Sequence, residues 1–231
     1  MTNADFEYLA SEESPIGLIS LRRRRLLSLP DTVVIEITLD HQFLMSSLHT
    51  ASERALAGAA VAMHGGSGLR ALVGGLGLGY TAQALLESER VARVEVVEYL
   101  APVIRWMAEG LVPLSETLRH DARLAICQGD VYARVLRPSD ERWDLILIDV
   151  DHSPDEPLGA QSDSFYSEAG LRRARASLAP GGVLGVWSYA ECSPFADALD
   201  RVFSEVRVEP VRFRNELFDE EETNWLFFAR G

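Results

Sequence analysis

From Leu69 onward the chain alternates short, nearly continuous apolar runs with stretches of helical composition, and few folds accept that pattern. The strand-like runs are 69–73, 93–97, 124–127, 143–148, 183–187, 206–213 and 224–229, and helical composition marks 51–63, 80–89, the segment after Glu98, 131–136, 164–178 and 195–203. Strands that are apolar on both faces need cover on both faces. The pattern therefore predicts an α/β chain with a doubly wound, mostly parallel seven-stranded sheet of Rossmann-like type. Ligands of such sheets bind at the carboxyl ends of the strands.

The first fifty residues do not follow this alternation. Residues 1–17 read as a polar, loosely ordered entry. Then 17–21, the basic run 22–25, the run 33–39, the break Asp40-His41 and 42–45 read as a small β-hairpin module. The expected division is 1–50 for the tail and hairpin module and 51–231 for the Rossmann-like domain. The run Arg22 to Arg25 reads as a solvated face rather than an anion site.

Charge narrows the chemistry. There are 35 acidic and 22 basic residues, a net charge of −13, and every basic residue is arginine. Without lysine, a Schiff-base enzyme, the usual pyridoxal-phosphate enzyme, a Walker-type P-loop and a short-chain dehydrogenase with an active-site lysine are all excluded. An acidic chain is a poor partner for nucleic acid and a better one for small cations. No apolar run approaches membrane-spanning length, and acids stand where a secretory signal would be basic, so the expectation is a cytoplasmic protein without membrane contact. Cys127 and Cys192 lack metal-ligand spacing and read as buried thiols, with no metal expected.

The chemistry-bearing residues gather at the predicted strand ends. The first Rossmann strand runs into Gly74-Gly75-Leu76-Gly77-Leu78-Gly79. Glycines allow a tight turn and close backbone approach to a ligand. Tyr80 stands where a dinucleotide fingerprint needs its third glycine, which weakens a nicotinamide-dependent oxidoreductase; the spacing G-x-G-x-G is more usual for adenosylmethionine. Glu98 closes the second strand about 20 residues past the turn, where an acid reaches a ribose diol. Asp130 follows the third strand, placed to meet an adenine amino group, to cap the next helix, or both. Asp149 ends the fourth strand, with Asp151, His152 and Asp155 in the polar loop behind it. Asp219 to Glu222 read as solvated surface.

Taken together, these residues resemble the spermidine synthases, polyamine aminopropyltransferases that share the fold of class I adenosylmethionine-dependent methyltransferases. The resemblance runs from about Ile16 through Leu39-Asp40, Glu53, Gly74 to Gly79, Glu98, Gly129-Asp130, Trp143 to Asp149, Phe165-Tyr166 and the run from Leu178 to Val183. The hairpin module matters most, since an ordinary methyltransferase domain lacks it there. The resemblance implies a transferase of polyamine biosynthesis that takes decarboxylated adenosylmethionine, or intact adenosylmethionine, as co-substrate. It also favours a homodimer. By position Gly74, Gly75, Gly77, Gly79, Glu98 and Asp130 would hold the adenosyl group, Asp149 and His152 would be catalytic, and Asp151 and Asp155 would bind substrate.

Departures from the family are concentrated on one side. Its glycine turn carries an amine-binding aspartate where this chain has Gly77. His152 stands where the family has a second active-site aspartate, and the family's Tyr-His/Gln-Glu tripeptide reads Ala51-Ser52-Glu53. The adenosyl half is intact and the amine half is rewritten. Aminopropyl and methyl transfer are both in-line attacks on carbon beside a sulfonium. Freeing the lone pair of an amine with a pKa of about 10.4 at pH 7 costs roughly 4.6 kcal/mol, at about 1.36 kcal/mol per pKa unit. Asp149, with His152 as second base or relay, is the expected answer to that cost. The first reading is an aminopropyltransferase acting on a cationic amine, the second a methyltransferase on the same scaffold, and the third a non-catalytic nucleotide-binding protein.

Overall fold

The computed structural model describes residues 5–150, 153–155, 164–215 and 220–231. Two sheets organise them. The N-terminal one joins β1 (Phe6–Ser14), β2 (Gly17–Arg25), β3 (Val33–Leu39) and β4 (Gln42–Ser46) in antiparallel order β1-β2-β3-β4. The second sheet begins after helix α1 (Ala51–His64) and contains β5 (Leu69–Gly74), β6 (Val91–Glu98), β7 (Leu124–Gln128), β8 (Trp143–Ile148), β9 (Leu178–Ser188), β10 (Glu205–Asn215) and β11 (Glu220–Arg230). Its order is β10-β11-β9-β8-β5-β6-β7, parallel from β9 to β7, with β11 antiparallel to both neighbours. This is the seven-stranded, mostly parallel α/β sheet the sequence predicts.

The apolar strands serve two cores. Alternate residues of a strand point to opposite faces, so Ala71, Val73, Leu145 and Leu147 join one buried cluster while Leu72, Ile146 and Ile148 join the other. The first cluster lies under α1, α2 (Tyr80–Leu86) and α3 (Ala101–Glu109), through Leu56, Leu85 and Trp106. The second lies under α5 (Val131–Leu136), α6 (Glu168–Ser177) and α7 (Ser193–Asp200), through Val135, Leu171 and Phe195. A short helix, α4 (Ser115–Arg119), bridges α3 to β7. Ile19, Leu21 and Ile37 of the N-terminal sheet belong to the first cluster, so that sheet is seated on the same core. No helix among the described residues is long and apolar enough to cross a membrane.

Three expectations fail here. The polar entry is in fact strand β1, its register running from Phe6 opposite Arg24 to Ser14 opposite Gly17. Its acids explain why so polar a strand is held: Glu12 accepts hydrogen bonds from Arg105 and the Trp106 indole, and Glu7 pairs with Arg23. The arginine run is therefore not simply a solvated face. On alternate sides of β2, Arg22 and Arg24 grip buried Glu36 at 2.7 and 2.8 Å, while Arg23 and Arg25 meet Glu7 and Asp5. Cys192 is buried but Cys127 is exposed, because it sits near the end of β7, the edge strand of its sheet.

Candidate active site

A cavity of about 990 Å³ opens where the carboxyl ends of β6 and β8 and the glycine turn after β5 face the β3–β4 and β10–β11 hairpins. The N-terminal sheet contributes Leu39, Phe43 and Met45 to its wall, and the C-terminal hairpin contributes Phe213, Glu222 and Asn224. Among the described lining residues are six carboxylates, Glu36, Glu53, Glu98, Asp130, Asp149 and Glu222, and not one arginine. In a chain with 22 arginines this is a strong segregation of charge.

The turn after β5 depends on glycine at two points that touch the site. Gly75 has φ +89°, and a Cβ there would stand 2.2 Å from the carbonyl oxygen of Asp149, so the turn can lie against the end of β8 only without a side chain. Gly77, at φ +48°, faces Met45, whose Sδ and Cε would be 2.7 Å from an added Cβ. The thioether fills the space a side chain at 77 would need. Of the four predicted glycines, Gly75 and Gly77 line the large cavity. Gly79 lines a smaller recess beside it with Glu53, Thr81 and Asp149, and Gly74 packs instead against Val131.

Glu98, at the end of β6, is buried and accepts hydrogen bonds from Leu76 N and Leu100 N, both at 2.7 Å. One carboxylate thus ties the glycine turn to the entry of α3. Burial pushes its pKa up, and the backbone amides around it pull the other way. Each carboxylate oxygen has a second lone pair, so capacity for hydroxyl donors remains. Asp130 caps α5: its Oδ1 accepts from Tyr132 N at 2.8 Å and Ala133 N at 3.2 Å. Asp130 also lines the cavity.

Asp149 and Glu53 form the centre of the site. Asp149 is half-buried at the end of β8 and its Oδ2 accepts a 2.6 Å hydrogen bond from the Thr81 hydroxyl. Burial pushes its pKa up to about 6. Glu53, in the first turn of α1, is pushed up to about 7, first by burial and then by the negative charge of Asp149. It accepts a 2.8 Å hydrogen bond from the Ser52 hydroxyl, which in turn accepts one from the Asn224 amide at 3.0 Å. Two half-buried carboxylates that repel each other and are each held by a hydroxyl hold a proton readily, and they attract a cation strongly.

Asp155 is exposed and lies outside the cavity wall, beside Cys192, whose thiol it and burial push up to about 11. Asp151 and His152 fall outside the described residues. Glu222 is not the solvated surface residue expected from its acidic run: it is half-buried on the cavity wall, and its Oε1 accepts a 2.7 Å hydrogen bond from Asn215. Glu53 appears in the sequence only as the remnant of a family tripeptide. Thr81, Asn224 and Glu222 carry no local signal, because their role comes from strand register and chain reversal.

No protein-family model matches the chain. Over 124 residues, 53% of its length, it is 32% identical to polyamine aminopropyltransferase 2 of Streptomyces coelicolor, a match covering 22% of that protein. The chain thus spans about a fifth of the length of that curated relative. Among solved structures, the spermidine synthase of Thermotoga maritima superposes with a TM-score of 0.73 at 19% identity, covering 96% of this chain and 72% of that one. A spermidine synthase in complex with the transition state analogue AdoDATO gives 0.75 at 20% identity, covering 96% and 73%. The fold is that of these structures, N-terminal antiparallel sheet included.

Proposed function

We propose that the chain is an aminopropyltransferase-like enzyme that binds decarboxylated adenosylmethionine and transfers its aminopropyl group to a cationic amine. One observation carries this reading: the wall of the main cavity is lined by six carboxylates and no arginine among the described residues. A donor with a sulfonium and an acceptor with an ammonium are the ligands such a wall selects. Glu98 and Asp130 are suited to the ribose hydroxyls and the adenine amino group. The aspartate and glutamate at the centre receive the acceptor nitrogen.

The chemistry follows from that placement. The amine arrives protonated and loses its proton to the Asp149 and Glu53 pair, whose raised pKa values make it a better base than a free carboxylate. The freed nitrogen lone pair attacks the aminopropyl carbon bonded to sulfur. The carbon–sulfur bond breaks, its electron pair stays on sulfur, and methylthioadenosine leaves as a neutral thioether. Thr81 and Ser52 keep the two carboxylates oriented, which lowers the reorganisation needed during attack.

Met45, in the space beside Gly77, favours a second reading, in which intact adenosylmethionine donates a methyl group to a smaller amine. Thermal-shift titration with methylthioadenosine and adenosylhomocysteine, followed by product mass after incubation with each sulfonium donor and an amine, separates the two. A mass increase of one aminopropyl group is the expected outcome. Methylthioadenosine failing to raise the melting temperature would remove the reading altogether. The same reading carries its associated properties: a small-molecule enzyme of the cytoplasm, working as a homodimer, with sizing chromatography as the check.

A further inference from the structure

Charge balance requires one proton to leave in each turnover. The sulfonium and the acceptor ammonium bring two positive charges to the reacting atoms, and the products there are one alkylated ammonium and a neutral thioether. The acceptor nitrogen gives up that proton before attack, and the Glu53 and Asp149 pair takes it. Before the next turnover the pair must pass it on. With donor and acceptor in place, the side of the pair that faces the main cavity is covered by substrate.

The pair has a second outlook. Glu53 and Asp149 line both the main cavity and the recess of about 30 Å³ beside it, whereas Thr81 and Tyr80 line the recess alone. Ser46 and the glycine turn from Leu76 to Gly79 supply most of the remaining wall. An ordered water needs a volume of about 10–15 Å³ and several polar partners. The recess exceeds that volume, and two carboxylate residues and three hydroxyl residues line it. The Thr81 hydroxyl gives its proton to Asp149 at 2.6 Å, so toward a water it can only accept. A water donating to Thr81 keeps a lone pair for a proton from the carboxyl pair. Tyr80 and Ser46 are half-buried, which brings the recess near bulk solvent.

We infer that this recess is a water site and the proton exit of the reaction, with Thr81 as the positioning residue that holds the water against Glu53 and Asp149. The water accepts the carboxyl proton through its lone pair and releases one of its own protons toward solvent past Ser46 and Tyr80. The pair regains its negative charge and the water is left unchanged. This rests on the aminopropyltransferase reading and adds to it the route by which the proton leaves.

A crystal structure of the full chain with methylthioadenosine, at a resolution that shows ordered waters, tests the site. A water within hydrogen-bond distance of the Thr81 hydroxyl and of Glu53 or Asp149 is expected; a recess that is dry, or filled by ligand or side chain, overturns the inference. Turnover tests the role, with decarboxylated adenosylmethionine and an amine shown by product mass to be aminopropylated, both saturating. Ser46→Val fills the recess from β4 and leaves the bond between Thr81 and Asp149 in place. It is expected to lower kcat by at least about tenfold, short of the about 10²-fold loss of a general base, and to raise the solvent deuterium isotope effect. Thr81→Val is expected to do the same, and Thr81→Ser to recover most of the rate. Slowing by Thr81→Val alone, with Ser46→Val at the unaltered rate and isotope effect, means that Thr81 only orients Asp149; it overturns the inference and leaves the proposed function standing. A chain that takes up no methylthioadenosine overturns both.

Discussion

Glu36 is buried and Asp149 half-buried, and the two acids are handled in opposite ways. Glu36, on β3, has an arginine on each carboxylate oxygen. Asp149, at the end of β8, has one threonine hydroxyl and a second carboxylate for company. A buried charge without a partner costs free energy that folding alone gives no reason to accept. The molecule has 22 arginines and places none among the described residues of the cavity wall. The contrast separates an acid neutralised by the protein's own cations from one left unneutralised at a cavity.

The largest effect that sharpens this contrast is on catalysis. Asp149→Asn should lower kcat by about 10²–10⁴-fold, the range for loss of a general base, while leaving the circular dichroism and melting curve those of a folded chain. Wild-type turnover in this variant, measured with decarboxylated adenosylmethionine and a diamine, would take Asp149 out of the chemistry. Glu36→Gln should do the reverse. It leaves two arginines facing a neutral amide and should cost stability by about 1–3 kcal/mol, below the range for a fully buried pair because Arg22 and Arg24 reach water. Denaturant midpoints measure it, and an unchanged midpoint would mean that solvent already neutralises those arginines.

The alternation of apolar runs made the seven-stranded sheet legible from sequence, because each run such as 143–148 must be covered on both faces whatever its neighbours are. Glu98, Asp130 and Asp149 were legible for the same reason: the carboxyl ends of successive parallel strands converge on one edge. Strand β1 was not, since its apolar content is low and its stability comes from ion pairs with residues as distant as Arg23 and Arg105. Glu222 and Asn224 were missed because β11 returns antiparallel to β9 and brings a surface-like acidic run back over the cavity. Long-range register carries no local signature.

The pH dependence of stability tests the comparison from the other side. Asp149 and Glu53 rise on folding from ordinary values of 3.8 and 4.5 to about 6 and about 7. The folded state therefore binds more protons than the unfolded chain between pH about 4 and about 7, and stability falls as pH rises through that window. Asp149→Asn should flatten this slope, and at pH 8 it should melt at least about 3 °C higher than the unaltered chain, a shift worth about 1 kcal/mol at this size. A parallel displacement of the two curves at every pH would show that the carboxyl is not strained by burial.

The smallest effect lies among the four arginines themselves. Arg23 and Arg22 are neighbours on β2, but the side-chain exposures of Arg23 and its partner Glu7 are 48% and 45%, whereas Glu36 is 2% exposed. An ion pair between wet groups gains little Coulomb energy and is screened by salt, so Arg23→Ala should change stability by no more than about 1 kcal/mol. Its effect should shrink further at high ionic strength. Arg24→Ala removes one of two cations from a buried carboxylate and should cost more, and that excess should persist in salt. Paired unfolding curves at low and high salt decide the matter. If the two substitutions cost the same and fade alike, Glu36 is held by solvent rather than by its arginines, and the distinction between a neutralised acid and an unneutralised one would have to rest on the cavity alone.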